Sequence, residues 1–209
     1  MSSSDLVDRA IRERRTVKMV APEPAPTDGA LSHETLAEIL AVAGLAPFHK
    51  PAPSGPPEPW RCHALDAKAC RALRAHALDA GVGGKLLGMF AAASGLAVVT
   101  WVPDGESAPA PDVHFVPSLR NMELIAATSA MIQNVLVAAT ARGIASYWSS
   151  GGWLATAPGL AALGVPPGEL LLGAVFLFPD AIDGAMTHPG KQHTVRTPAS
   201  AWTRWPDVS

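Results

Sequence analysis

The stretch LRNMELIAATSAMIQNVLVAATARGIASYWSSGG, residues 119–152, decides how the rest of the chain is read. Its first two-thirds carries Leu124, Met131, Leu136 and Val137 among many alanines, with no Pro or Gly before Gly143. That predicts one helix about 36 Å long at ~1.5 Å per residue, enough to cross a small domain. Apolar residues surround it almost completely, the pattern of a helix buried on every side. Gly143 supplies the left-handed turn that closes such a helix. Ile144 to Trp148 then reads as a short strand, and Ser149-Ser150-Gly151-Gly152 as a tight loop with exposed backbone N–H groups. A rigid helix delivering a strand and a Ser/Gly loop is a common support for a ligand site. The same run tempts a membrane reading, but Glu123, Gln133 and Asn134 and its dependence on Ala favour a core helix.

Composition bounds the rest. The chain has 209 residues, 48% hydrophobic and only 16% charged, which suits one sizeable domain over residues 1–209 without disulfide or metal staples. So little charge leaves a scant polar surface for a free monomer and favours an oligomer. A net charge of −2 gives no electrostatic footprint for nucleic acid or an anionic membrane. The polar start, Met1 to Asp8, lacks the apolar core of a signal peptide, so a soluble cytoplasmic protein is expected. Cys62 and Cys70 stand at a spacing that matches no metal or redox motif.

From the start of the chain, Asp5 to Arg15 reads as a helix that runs into Arg14-Arg15-Thr16-Val17-Lys18. Three cations at a helix end have two readings: a solvated C-terminus that complements the helix dipole, or an anion site built from guanidinium forks. The segment alone favours the first. APEPAPTDG, residues 21–29, is an extended connector, and Ser32 is the N-cap of a helix that stops at Pro47. The Pro-rich run from Phe48 to Trp60 is a loop rather than a domain linker. It leads into an alternating strand, Arg61 to Asp66. Helices follow over Ala67 to Ala80 and Lys85 to Ala93, then a buried strand, LAVVTWV from Leu96. Pro103 to Pro117 is long enough to be a flap. Beyond the central stretch come a short helix, Thr156 to Leu163, and a buried strand, Glu169 to Phe178. In residues 180–209, Trp202 and Trp205 have no local core, so this extension is expected to pack on a partner subunit. Four strands irregularly interleaved with helices predict an α+β fold, not a doubly wound dinucleotide domain.

Side-chain chemistry is sparse. No GxSxG, HExxH or P-loop occurs, and the seven histidines, His33, His49, His63, His76, His114, His188 and His193, fall in no metal-ligand pattern. Neither cysteine has an activating neighbour. If the chain is an enzyme, an organic cofactor carries its reaction, and no metal or catalytic side chain is expected.

Three motifs then resemble, in order, those of the FMN-dependent nitroreductase superfamily. Arg14 to Lys18 resembles its Arg-x-Ser/Thr-x-Lys segment. Ala46-Pro47-Phe48-His49-Lys50 with Glu58-Pro59-Trp60 resembles its Ala-Pro loop and Gln-Pro-Trp. Ala141-Arg142-Gly143-Ile144 to Gly151 is similar to its alanine-rich helix and Trp-x-Ser-Gly loop.

The resemblance implies a central mixed or antiparallel sheet flanked by helices, in an intertwined homodimer with FMN at the subunit interface. Arg14 and Arg196 would pair with the phosphate, Arg15 and Thr16 with the ribityl chain and pyrimidine edge. Lys18 would sit near N1 and O2, where negative charge collects on reduction. Trp148, Ser149 and Ser150 would offer backbone donors, and His49 would lie beside the cofactor from the other subunit. Flavin N5, not a protein group, would pass hydride from NAD(P)H to a small electron-poor acceptor by ping-pong. Glu58 departs from the pattern: where the family has a donor amide, an ionised carboxylate only accepts. It is either a flavin contact or a loop acid displaced by the Pro-rich insertion at 51–57. Three other outcomes stay open: a dehydrogenase returning electrons to oxygen, a flavin store or redox sensor without turnover, and a helical assembly protein with no ligand.

Overall fold

A computed structural model describes residues 3–28, 30–105 and 115–208. Four antiparallel strands form the central sheet in the order β2-β3-β5-β4: β2 Trp60–Asp66, β3 Gly95–Trp101, β4 Ala145–Ser149 and β5 Leu170–Phe178. Helices cover both faces. On one side lie α3 (Ala67–Asp79) and α4 (Lys85–Ala92); on the other lie α2 (His33–Ala43) and α5 (Leu119–Ala141). Strand alternation splits the core accordingly. Leu96, Val98, Ala174, Phe176 and Phe178 face α3 and α4, while Ala97, Val99, Val175 and Leu177 face α2 and α5. Every residue of β3 is buried, as its unbroken apolar run predicts. Each fully buried large side chain, such as Ile132 or Phe176, contributes roughly 1.5–3 kcal/mol relative to exposure.

Local rules fix the ends of the helices. Ser32 caps α2 through Thr35 N, as expected, but the helix stops at Ala43, short of Pro47, because Gly44 takes the C-cap. Ser118 caps α5 through Asn121 N. At its far end Gly143, with φ 73°, makes a Schellman turn. Its N–H donates to the Thr140 carbonyl (3.0 Å) and that of Ile144 to the Ala139 carbonyl (2.9 Å). The chain is thereby reversed directly into β4.

Two expectations need correction. α5 is not buried all round in the single chain: Leu119 is 73% and Met122 61% exposed, along one stripe. It is the one helix among the described residues long and apolar enough to span a membrane, and half of its apolar window is buried. The second concerns Val17–Val20, whose first two residues, Val17 and Lys18, read with Arg14–Thr16 as a helix end. It is a strand, β1, that pairs antiparallel with β6, Met186–Pro189, in a separate two-stranded ribbon. The first helix, α1 (Ser3–Glu13), ends just before it. The ribbon is seated on α4 because Gly88 lets it in: a Cβ there would lie 2.3 Å from Val20 Cγ1, and Ala21 N donates to the Gly88 carbonyl (3.0 Å). A parallel bridge between Thr16 and Ser146 joins the ribbon to β4. Most of the expected flap, residues 106–114, lies outside the described residues. Among the described residues the tail holds β6 and two short 3₁₀ turns, with Trp202 and Trp205 exposed.

Candidate functional site

The cationic segment divides its labour. Arg15 turns back on α1 and donates to the carbonyls of Arg12 and Arg14, capping the helix end as the simpler reading predicts. Arg14 does not. Its guanidinium is half-buried and is held below its ordinary pKa by burial first, then by the like charges of Arg196 and Arg15. Arg196 thus comes from the tail to within electrostatic reach of Arg14. Among the described residues no ion pair neutralises Arg14, Arg15, Lys18 or Arg196. Cations gathered without a counter-ion make a site for an anion.

Thr16 and Lys18 tie this cluster to β4. The Thr16 carbonyl accepts from Gly190 N at 2.7 Å, a close approach that needs glycine, since a Cβ there would lie 2.8 Å from Thr16 Cβ. Lys18 Nζ lies 4.6 Å from the ring centroid of Tyr147 in β4. From Tyr147 the strand runs straight into the loop. Trp148 lays its indole across Gly173, where a Cβ would meet Nε1 at 2.0 Å, and keeps 37% of its surface exposed. Ser149 is buried, its Oγ accepting from Gly151 N (3.1 Å), and Gly151 has φ 99°. Ser150 is exposed. Lys18 and the Thr16 backbone thus lie against Ser146 and Tyr147, the residues that lead into the Trp-Ser-Ser turn. Two buried polar atoms beside them have no hydrogen-bond partner among the described residues: Ser146 Oγ, at the bridge, and His188 Nε2, on β6.

His49 and Glu58 are elsewhere. Both lie on the loop feeding β2, the opposite edge of the sheet from β4, about 14 Å away across three strand spacings. His49 is exposed; Glu58 is half-buried, with its backbone carbonyl bound by Arg61 (2.7 Å). Arg61 organises this Pro-rich loop, donating also to the carbonyls of Ser54 (2.7 Å), Pro56 (3.2 Å) and Trp60 (2.8 Å). Phe48 packs edge-on against Trp60 with centroids 5.8 Å apart. One chain does not bring this loop to the cationic strand.

A second polar cluster went unread in the sequence. Glu169 Oε2 lies 2.9 Å from His63 Nε2 and accepts from the Thr100 hydroxyl. It links β2 and β3 to the residue just before β5, beside the β-bulge at Val99/Thr100, and its polar atoms satisfy one another. No spacing signals it, because its members are far apart in the chain. Neither cysteine is set up as a thiolate: burial pushes the thiols of Cys62 and Cys70 up to about 12. The described residues contain no His/Cys/Asp/Glu group able to hold a metal. Clefts of about 420 and 520 Å³ open away from the cationic strand, beside Arg71 and beside Arg142 respectively.

The architecture is that of an α+β protein with an antiparallel sheet between helices and a cationic ribbon bridged to its β4 edge. The nitroreductase family pattern matches residues 11–177, and the chain belongs to that family. Among solved structures, a nitroreductase-like family protein from Bacillus cereus is similar at 24% identity and TM-score 0.70, covering 99% of each chain. The FMN-dependent nitroreductase of Mycobacterium smegmatis in complex with NADPH is 17% identical, TM-score 0.62, with 99% of this chain and 100% of that one covered. A nitroreductase with bound FMN from Bacteroides fragilis is 23% identical, TM-score 0.55, covering 84% of this chain and 88% of that one. No curated protein matches.

Proposed function

We propose that this protein is an FMN-dependent oxidoreductase that takes reducing equivalents from NAD(P)H and delivers them to a small electron-poor acceptor, a nitroaromatic, quinone or enone, by ping-pong. The observation that carries the reading is a chain of neighbours: Arg196 within electrostatic reach of Arg14, Thr16 bridged to Ser146, and Lys18 over the Tyr147 ring one residue before Trp148. The residues fit a planar, phosphorylated cofactor. Guanidinium groups without a counter-ion suit a phosphate, and the unpartnered Ser146 Oγ and His188 Nε2 are polar groups awaiting a ligand. FMN, when bound, supplies the two-electron chemistry that no side chain here offers.

The chain's own residues hold and bias that cofactor. Arg14 and Arg196 bind the phosphate; Arg15, already committed to the helix end, contributes charge and backbone. Thr16 offers its hydroxyl and backbone N–H to the ribityl chain. Lys18, steadied by the Tyr147 ring, would stabilise the negative charge that collects on the pyrimidine edge on reduction. Trp148, Ser149 and Ser150 would offer the ring those backbone N–H groups that β4 does not donate to β5.

His49 and Glu58 reach the site only in a homodimer, from the other subunit. The single chain has the surface for one. The exposed α5 stripe continues into an apolar groove lined by Leu6, Val7, Val42, Leu45 and Val137, and the tail leaves Trp202 and Trp205 exposed. The spectrum of the purified protein tests the reading. Flavin bands that appear with added FMN and bleach under anaerobic NADH or NADPH are expected. Protein that stays colourless with FMN rejects it, and flavin-loaded protein that neither NADH nor NADPH reduces points to substrate oxidation with oxygen as acceptor.

A further inference from the structure

β6 answers β1 residue by residue: Val17 faces Pro189, Lys18 faces His188 and Met19 faces Thr187. Residues directly opposite in an antiparallel pair project to the same face, with Cβ atoms roughly 4.5–5.5 Å apart. The His188 imidazole therefore shares its face with the Lys18 side chain, whose ammonium rests over Tyr147. His188 is half-buried, and its Nε2 is closed to solvent with no hydrogen-bond partner among the described residues. Native proteins leave few such atoms unsatisfied, and each calls for an explanation.

The neighbourhood makes a missing ligand the explanation. Two polar side chains close by are provided for: Arg15 has two carbonyls, and Ser149 Oγ has the Gly151 N–H. The unsatisfied exceptions, Ser146 Oγ and His188 Nε2, lie on the two strands that flank the Thr16–Lys18 segment. The charged side chains of the site, Arg14, Arg15, Lys18 and Arg196, can only donate, whereas a neutral imidazole nitrogen can also accept. We propose that His188 is a cofactor-contacting residue, its Nε2 hydrogen-bonding a ribityl hydroxyl or a pyrimidine-edge polar group of FMN beside Lys18. This rests on the flavin reading above. It gives the β6 strand a role in binding that neither motif order nor spacing reveals.

The test uses the full chain freed of flavin. FMN affinity is titrated by flavin fluorescence for the wild type, His188→Leu and His188→Gln, with thermal melts of the flavin-free proteins alongside. The ¹⁵N signals of the wild-type histidines are followed through titrations with FMN and with inorganic phosphate. His188→Leu is expected to weaken FMN about tenfold while its flavin-free melt stays level or rises. His188→Gln, which keeps a polar group at the same reach, is expected to recover most of that loss. The His188 Nε2 signal is expected to move on saturation with FMN and to hold still with inorganic phosphate. FMN saturation that leaves this signal unmoved, or His188→Leu binding FMN as tightly as the wild type, overturns the proposal. If neither variant folds, the nitrogen signal decides alone. Wild-type protein that takes up no FMN fails the flavin reading itself; wild type and His188→Leu binding FMN equally fails only the role of His188.

Discussion

Arg14→Met should separate what Arg14 does for folding from what it does for binding. In the flavin-free chain its guanidinium is half-buried, lies within electrostatic reach of Arg196 and Arg15, and has no carboxylate partner among the described residues. Its charge therefore contributes nothing to stability, and removing it should leave urea stability unchanged or raise it by about 0.5 kcal/mol, the scale of a partly screened pair. A charge-assisted hydrogen bond to a phosphate is worth roughly 1.5–3 kcal/mol, so FMN should bind about 10- to 150-fold more weakly. Riboflavin, which has the same ring and polyol but no phosphate, should bind the variant and the wild type alike. The assay is fluorescence titration of both ligands at two salt concentrations. The wild-type preference for FMN over riboflavin should shrink with added salt, and that of the variant, which keeps Arg196, should shrink less. Equal losses for FMN and riboflavin, or FMN binding within twofold of the wild type, would refute the assignment of Arg14 to the phosphate.

Other perturbations test the neighbouring links. Lys18→Met should lower the two-electron potential of bound flavin by about 30–60 mV, read by dye equilibration, because 30 mV corresponds to 1.4 kcal/mol of lost charge stabilisation. Gly173→Ala should force the Trp148 indole from its seat, where a Cβ would lie 2.0 Å from Nε1. A loss of about 1–3 kcal/mol in urea and an altered tryptophan emission are expected. Cys62 and Cys70 should resist thiol reagents at pH 8 until the chain unfolds. Their raised pKa, about 12, means that the native state keeps protons that the unfolded chain releases above its ordinary thiol value of 9.0. Stability should then fall as pH rises through that window, by up to about 1.4 kcal/mol per thiol per pH unit, with Cys62→Ala flattening the fall.

Residues governed by local rules were legible in the sequence. The caps Ser32 and Gly143, the unbroken run of β3 and the long alanine-rich α5 each follow from neighbours within a turn or a strand. β1 was not legible, because four residues with a lysine among them become a strand only when Met186–Pro189 pairs with them from the far end of the chain. Until that pairing is known, Arg14 to Lys18 is equally well a solvated helix end, and for Arg15 that is what it is. The exposed stripe of α5 was hidden for a different reason: apolar composition states that a face will be covered, not by which chain. The His63–Glu169–Thr100 cluster and the unpartnered Nε2 of His188 depend on strand register, which nothing in one sequence specifies across such separations. Motif order singled out the cations and the Trp-Ser-Ser turn as candidates, while the distance of His49 and Glu58 from them required the sheet order.

A crystal structure of the protein saturated with FMN tests the central claim most directly. The account predicts a phosphate between Arg14 and Arg196 and an isoalloxazine bounded by Lys18 and the backbone of Trp148 to Ser150, with His49 reaching it from the second chain of a dimer. A flavin bound in one of the clefts beside Arg71 or Arg142, with the Arg14 and Lys18 side chains left in solvent, would contradict it.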